Sequence, residues 1–320
     1  MMITASLVQF TSLVSFAFVN DVLWFYPLMV LQSMIWGLFG PSVISLVSDM
    51  ASLEKMGRIM GMYYTSIGLG QFLGPLLSGI LTQYLSLREM FLSLSILPIV
   101  GLLFTMQLKS TEKIGKIVVG KKRTSKNRGV LNSFKTIFRS KNMIGLCLSR
   151  ITFSFSTAII ATLLTVWAKT ELQFTTSMIS ILFAARGATN TLIRMPSGRL
   201  IDRIGKKKPI LFAFSLAIIT FLIFSVSTDF ILLLIAMCLY GLAWGMRIVP
   251  DTAIMTTSVG SEDRGLALAI LMSTFALGNS AGSYLAGATY SVLSMNLIFL
   301  IAAIILILGT IILTVFIKEK

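Results

Sequence analysis

Long apolar stretches separated by short polar joints constrain this chain more than any other feature of its sequence. A helix needs about 20 residues to cross the roughly 30 Å hydrocarbon core of a bilayer. Reading the chain in windows of that length predicts ten membrane-spanning helices. They are expected at 2–19, 23–49, 59–84, 89–108, 142–168, 175–198, 209–227, 230–257, 265–290 and 295–317. The predicted fold class is therefore all-α, a polytopic transmembrane helical bundle.

The composition excludes a soluble enzyme. Hydrophobic residues make up 56% of the chain and charged residues only 12%, which is typical of proteins embedded in lipid. The chain has no histidine, which removes the commonest general base and metal ligand. It also lacks HExxH and a Gly-rich loop ending in GK[ST]. We expect no enzymatic activity, no cofactor and no metal site.

The 27 lysines and arginines decide whether the net charge of +15 indicates nucleic-acid binding or membrane orientation. Segment 109–141 carries eleven of them against a single acid, Glu112. If this segment is cytoplasmic, alternation of the helices places 21 basic residues on the cytoplasmic side and two, Arg88 and Lys169, opposite. This asymmetry follows the positive-inside rule. It predicts a cytoplasmic segment 109–141 and a cytoplasmic C-terminus, and leaves no need for a nucleic-acid partner.

The sequence also repeats itself at an offset of 208 residues. The offset aligns Asp21 with Asp229, and Trp36-Gly37 with Trp244-Gly245. Three further glycines, Gly70, Gly74 and Gly79, align with Gly278, Gly282 and Gly287. An even number of helices separates the copies, so the two halves are predicted to have the same orientation, as a parallel repeat. We assign 1–108 to the N-terminal half, 109–141 to a basic linker and 142–320 to the C-terminal half.

Two motifs resemble those of the major facilitator superfamily (MFS). Residues 198–208 resemble its GxxxDRxGR/K signature, through Gly198, Asp202, Arg203, Gly205 and Lys206. Residues 70–79 resemble its antiporter motif, through Gly70, Gly74, Pro75 and Gly79. The resemblance implies a monomeric, multi-pass plasma-membrane transporter that moves a small organic solute by alternating access. The antiporter motif further implies a proton-coupled drug efflux antiporter.

The repeat predicts that the first two of the family's twelve helices are missing. Residues 141–208 would map, at the same offset, to positions before Met1. The first helix of this chain would then correspond to the third helix of the family, leaving about ten. We expect either a misplaced start or a truncated gene, with a ten-helix variant as the alternative.

Each motif also has a physical interpretation. Glycines at 70 and 74 give a smooth helical face that lets another backbone approach closely, and Pro75 permits a kink. The Asp202 carboxylate is expected to accept hydrogen bonds from the backbone N–H groups of a helix N-terminus near 57–61. Arg203 and Lys206–Lys208 are expected to meet lipid phosphates, or the loop serves only membrane topology.

Ionisable side chains inside a bilayer are the default markers of a transport pathway, because their desolvation costs about 2.5–3.5 kcal/mol. Four arginines lie within the predicted helices: Arg150, Arg186, Arg194 and Arg247. Arg186, Asn190 and Arg194 are spaced to form one stripe on a helix. Arg150 and Arg194 are expected either to reach lipid headgroups or to close salt bridges between helices. Polar and aromatic residues that could line the same cavity are Gln71, Tyr63, Tyr64, Trp36 and Trp244.

Arg247 and Asp251 are predicted to form the functional centre of the C-terminal half. Their i, i+4 spacing allows the side chains to meet on one face of a helix. Asp251 is the one carboxylate well inside a predicted span, which makes it the strongest candidate to carry a proton. The alternative is a permanent ion pair that only neutralises Arg247.

The solute class stays open at this point. The excess of arginines favours an organic anion, or a sugar-type permease, whereas the antiporter motif favours drug efflux. A truncated membrane protein without transport activity is the third alternative.

Overall fold

The computed structural model describes residues 2–50, 56–107, 130–260 and 262–317, and all the regular structure in these ranges is helical. Before the basic segment lie α1 (Met2–Phe18), α2 (Val22–Met50), α3 (Met56–Tyr84), α4 (Leu87–Leu94) and α5 (Ile96–Gln107). After it lie α6 (Val130–Arg139), α7 (Lys141–Ile159), α8 (Thr165–Thr170), α9 (Thr176–Ile204), α10 (Lys207–Val226), α11 (Phe230–Ser258), α12 (Arg264–Thr289) and α13 (Met295–Phe316).

Each of the ten predicted helices coincides with helical structure, which confirms the all-α fold class. Two of them are interrupted. A break at Ser95 divides the fourth into α4 and α5, and a π-helical stretch, Ile160–Leu164, separates α7 from α8. The structure adds one helix that was not predicted, α6, within the segment that the sequence assigns to the basic linker.

Six of the described segments are long and apolar enough to cross a membrane, judged by length and composition. They are Leu87–Gln107, Lys141–Thr170, Lys207–Val226, Phe230–Ser258, Arg264–Thr289 and Met295–Phe316. Many of their large apolar side chains are exposed, such as Val226, Ile231 and Val315. Lipid tails solvate such side chains as well as a protein interior does, so this surface suits a bilayer.

The chain divides into two compact units, residues 1–67 with 77–124 and residues 68–76 with 125–320. In the first unit, α1 packs against α2, α4 and α5. Phe16 of α1 holds this packing together, since its ring centroid lies 5.5 Å from that of Phe25 and 5.7 Å from that of Phe91. The Arg88 guanidinium lies 4.5 Å from the centroid of the Phe18 ring, a cation–π contact.

In the second unit, α11 packs against α9 and α10, and α7 packs against α12 and α13. The buried interior is rich in aromatic rings, with Phe153 5.3 Å from Phe214 and Phe221 6.0 Å from Tyr240 between centroids. Such edge-to-face pairs contribute about 0.5–1.5 kcal/mol beyond their area burial. They give the charged residues of α7 and α11 a rigid apolar surround.

Two glycines of α12 let that helix approach α7 closely. A Cβ atom added at Gly278 would lie 3.0 Å from the Cα of Ile151, and one added at Gly282 would lie 2.9 Å from the Cα of Phe155. Real Cβ atoms almost never come so near another backbone, so both positions require glycine. The close contact fixes the position of α7 against α12 at Ile151, and therefore also the position of its neighbour Arg150.

Candidate functional site

A single carboxylate on α11 joins two helices through two arginines. Arg247 Nε donates to Asp251 Oδ2 at 3.0 Å, and Arg150 Nη1, from α7, donates to the same oxygen at 3.1 Å. The side chains of Arg247 and Asp251 are 5% and 2% exposed, and that of Arg150 is 18% exposed. The contact expected between Arg247 and Asp251 is therefore present, and Arg150 makes the salt bridge between helices that was one of its two expected roles.

The Arg247 guanidinium also contacts Ser149 and two aromatic rings. Its Nη1 donates to the backbone oxygen of Ser149 at 3.1 Å, and its Nη2 donates to the Ser149 hydroxyl at 3.4 Å. The guanidinium carbon lies 4.7 Å from the centroid of Phe153 and 5.0 Å from that of Phe214. A buried arginine with this many partners has one preferred position, so Arg247 anchors the cluster to α7.

Two atoms of the cluster are left without a hydrogen-bond partner although they are buried. They are Asp251 Oδ1 and Arg150 Nε. A cavity of about 30 Å³ is lined by Arg150, Arg247, Asp251, Trp244, Phe275 and neighbouring side chains. A water needs about 10–15 Å³ of such space, so roughly two would fit. Arg150 and Asp251 thus each have an unpartnered polar atom, and both residues line this cavity.

The charge of Arg186, on α9, lies against aromatic rings. Its guanidinium carbon lies 5.4 Å from the centroid of Tyr240 and 5.9 Å from that of Trp244. Both ion pairs found among the described residues are made by Asp251, so within that part of the chain Arg186 faces rings and not a carboxylate. Trp244 also lines the cavity beside Arg150 and Asp251. Arg186 therefore contacts a side chain of the cavity wall.

The polar stripe predicted on α9 is only partly continuous. Arg194 Nε donates to Asn190 Oδ1 at 3.1 Å, and Asn190 Nδ2 donates to Gln71 Oε1 at 3.0 Å. Asn190 is 2% exposed. The stripe therefore joins α9 to the middle of α3, while Arg186 turns to the aromatic rings.

Close approach of α3 and α9 occurs at a glycine of α9 and not at Gly70 or Gly74 of α3. A Cβ added at Gly70 or Gly74 would meet no described atom within 4 Å. Instead Gly187 of α9 faces the backbone of α3, where an added Cβ would lie 2.8 Å from the Cα of Phe72. The side of α3 that faces α9 is the one carrying Gln71 and Phe72, so the two motif glycines point elsewhere. Pro75 lies inside α3, and Gly79 is buried.

The second motif lies at the end of α9 and the turn that follows. Gly205 has φ 86°, a left-handed conformation that costs any other L-residue about 1–2 kcal/mol. Arg203 is exposed. The surroundings of Gly198 and the side chain of Asp202 are outside the described part of the structure. The contact expected for Asp202 is therefore outside it as well.

Two lysines of this turn bind helix ends, where we had expected lipid phosphates. Lys206 Nζ donates to the Thr257 hydroxyl at 3.2 Å, in the last turn of α11. Lys207 Nζ donates to the backbone oxygens of Thr314 at 2.9 Å and Ile317 at 2.7 Å, at the end of α13. Carbonyl oxygens at a helix C-terminus lack helical partners and carry partial negative charge, which a lysine stabilises.

Two of the aromatic candidates, Tyr63 and Tyr64, belong to the first unit, and the cluster belongs to the second. Tyr63 is half-buried and Tyr64 is exposed, with ring centroids 5.4 Å apart. The side chain of Trp36 lies outside the described residues. Within the described ranges no group of three or more Cys, Asp or Glu side chains is placed to hold a metal ion.

Sequence reasoning missed three contributors to the site. Ser149 supplies two acceptors to Arg247, and its neighbour Arg150 was the signal that could have drawn attention to it. Pro250 lies inside α11 between the two charges and removes one helical hydrogen bond there, which permits local bending. The π-helical stretch Ile160–Leu164, of a kind frequent at functional sites, has no signature in the sequence.

Comparison with known proteins agrees with the motifs. The family model of the Major Facilitator Superfamily matches residues 1–155 and again residues 146–320. The multi-drug resistance efflux pump PmrA homolog of Lactococcus lactis is 25% identical over 227 residues, which cover 70% of this chain and 54% of that protein. PmrA of Streptococcus pneumoniae is 23% identical over 295 residues, covering 90% of this chain and 72% of that protein.

A third relative, multidrug resistance protein 2 of Bacillus subtilis, is 23% identical over 272 residues, covering 84% of this chain and 66% of that protein. This chain thus spans about half the length of the Lactococcus relative and roughly two thirds of the other two. Since the two matches of the family model together extend over the full sequence, the chain belongs to the Major Facilitator Superfamily.

Proposed function

We propose that this protein is a secondary transporter that exports a small organic solute in exchange for protons. Membership of the family and similarity to multidrug efflux pumps support transport and its outward direction. The observation that carries the proton coupling is the buried Asp251 carboxylate, which shares one oxygen between two arginines and leaves the other without a hydrogen-bond partner. Alternating access, a plasma-membrane location and action as a monomer are parts of the same proposal.

Asp251 is the proposed proton carrier because of how its two oxygens are used. Oδ2 is occupied by Arg247 and Arg150, whereas Oδ1 has no hydrogen-bond partner. The Asp251 residue lines a cavity with space for about two waters. Protonation at Oδ1 removes the negative charge that holds Arg150 of α7 to α11. Arg247 stays attached to Ser149, so the Arg150 contact is the one that protonation releases.

An organic anion is the second candidate for the solute. The cluster of Arg150, Arg247 and Asp251 carries one more positive than negative charge, and Arg186 adds another beside the same wall. A carboxylate on the solute would offset this excess. The charges do not favour a sugar in the same way, so a sugar-type permease lacks this support. If the protein has no transport activity, no solute should show flux.

The experiment measures solute flux in reconstituted vesicles with and without an imposed pH gradient. Two probes separate the solute classes, the lipophilic cation ethidium and an aromatic carboxylate of similar size. For Asp251→Asn, we expect the gradient to lose its effect while exchange of solute for solute continues. Unchanged dependence on the gradient would contradict proton coupling through Asp251, and absence of flux for both probes in the unaltered protein would contradict transport of these classes.

A charge-matched variant guards against loss of the fold. The double variant Arg150→Gln, Asp251→Asn keeps the net charge of the cluster at +1, as in the unaltered protein, yet has no titratable carboxylate. It should also carry out exchange without responding to the gradient. Arg150→Gln alone keeps the carboxylate and the Arg247–Asp251 pair but lacks the contact that protonation releases, so the gradient should affect its flux less than in the unaltered protein.

The orientation is a separate part of the proposal. Segment 109–141 and the C-terminus are placed in the cytoplasm, because the basic residues concentrate there. Protease added outside intact cells should leave the basic segment uncut, whereas cleavage there would reverse the orientation.

A further inference from the structure

Helix α6, Val130–Arg139, is amphipathic and has no role in the transport cluster. Among its described side chains, Phe134, Ile137 and Phe138 fall on one side of the helix at i, i+3 and i+4 spacing, and Lys135 and Arg139 lie on the adjacent side. Short helices of this kind, apolar on one face and basic on the other, bind in the plane of a membrane interface.

The helix is fixed at the end of a membrane-spanning segment. Only Ser140 separates α6 from α7, where the candidate span Lys141–Thr170 begins, and the Ser140 hydroxyl accepts the backbone N–H of Met143. Ile137 is completely buried, and α6 packs against α7 and α12. A one-residue joint and a buried anchor hold α6 at the level where the span meets the membrane surface.

The described residues leave the remaining aromatic side chains of this face uncovered. Phe134 and Phe138 are 37% and 44% exposed, and their rings stack with centroids 6.4 Å apart. Lys135 and Arg139, one residue beyond each ring, are also exposed. Aromatic rings with lysine and arginine beside them match the boundary between acyl chains and headgroups, where ring and charge are both solvated.

We propose that α6 is an interfacial helix that binds the anionic phospholipids of the leaflet at the start of the α7 span. Phe134 and Phe138 enter the outer acyl region, and Lys135 and Arg139 bind headgroup phosphates. The positive charge of segment 109–141, which includes α6, favours anionic over neutral lipid, because the segment holds eleven basic residues and one acid. Each basic residue near such a surface strengthens its binding about fivefold.

The test places an environment-sensitive fluorophore on α6 in the full-length protein. Cys147 and Cys238 are first replaced by Ala, and the label NBD is then attached to Phe138→Cys or, as the matched control, to Thr136→Cys. Thr136 is exposed and lies about 160° from Phe138 around the helix at 100° per residue. Elution as a single symmetrical species establishes that each variant is folded.

In vesicles of brominated phosphatidylcholine with 30% phosphatidylglycerol, we expect the label at 138 to be quenched at least about twofold more than the label at 136. Removing phosphatidylglycerol, or adding 0.5 M salt, should lower the quenching at 138. The pair Lys135→Gln and Arg139→Gln should weaken that dependence on lipid charge. Charge substitutions on the surface should leave the fold intact.

Three results would overturn the proposal. Equal quenching at 136 and 138 would mean that α6 does not lie with this face in the membrane. Quenching at 138 that is indifferent to phosphatidylglycerol would exclude anionic lipid as the partner. A label at 138 that is shielded equally in lipid and in detergent, or that cross-links to a second copy, would show that protein covers the aromatic face.

Discussion

Replacing Asp251 by Asn removes the one carboxylate that compensates two arginines. The side chains of Asp251 and Arg247 are 2% and 5% exposed, so neither charge reaches bulk water that could replace its partner. Removing one member of such a buried pair costs about 3–5 kcal/mol, because the other charge stays buried without compensation. We expect Asp251→Asn to lower the free energy of unfolding by that amount.

The cost should fall when a second charge is removed with the first. Arg150 is 18% exposed, and Arg150→Gln leaves the Arg247–Asp251 pair intact, so alone it should cost about 1 kcal/mol or less. In the double variant the cluster regains its net charge of +1. Neighbouring charges typically couple by about 0.5–3 kcal/mol, so the double variant should be more stable than Asp251→Asn by roughly that amount.

The assay is unfolding of the detergent-solubilised protein by denaturant, followed by loss of helical circular dichroism, for the unaltered protein and the three variants. The reasoning would be refuted if Asp251→Asn changed the free energy of unfolding by less than about 1 kcal/mol. Strict additivity of the two single substitutions would also refute it, because the shared oxygen requires coupling.

Further predictions concern positions where backbone conformation or close packing determines stability, and each is tested by the midpoint of thermal unfolding. Gly187→Ala should cost about 1–3 kcal/mol because its Cβ would meet the backbone of α3. Gly70→Ala and Gly74→Ala should cost nothing, because a Cβ at either position meets no described atom within 4 Å; equal effects would contradict the packing of α9 on α3. Gly205→Ala should cost about 1–2 kcal/mol because φ is 86°, and an unchanged midpoint would argue against that turn. Lys207→Met should cost about 0.3–1 kcal/mol through loss of its bonds to the end of α13, and a stabilised variant would contradict that capping role.

The helices could be predicted from the sequence because a bilayer demands a length and an apolar composition that few other structures share. The pair of Arg247 and Asp251 could be predicted for a similar reason, since i, i+4 spacing fixes which side chains meet on one helix. Both predictions depend on local geometry alone.

Contacts between helices could not be predicted in the same way. The salt bridge of Arg150 with Asp251 joins α7 to α11, and its formation depends on the rotation of each helix. The same rotation turns Gly70 and Gly74 away from α9 and brings Gly187 to it. A glycine pattern identifies a face that permits close approach, but the partner must be known before the approach can be placed.

Helix α6 went unrecognised for a different reason. Its ten residues are too few to cross a membrane, and the surrounding basic residues obscured the periodicity of Phe134, Ile137 and Phe138. A search for amphipathic helices of one to three turns within the basic segment would have found it.

Proton movement caused by solute flow tests the central proposal most directly. The unaltered protein is reconstituted in vesicles that enclose a pH-sensitive dye, with no gradient imposed, and a transported solute is added outside. Proton antiport predicts that the lumen becomes more alkaline as solute enters, and that Asp251→Asn vesicles take up solute without this change. Solute entry with no pH change in the unaltered protein, or with acidification, would contradict the account.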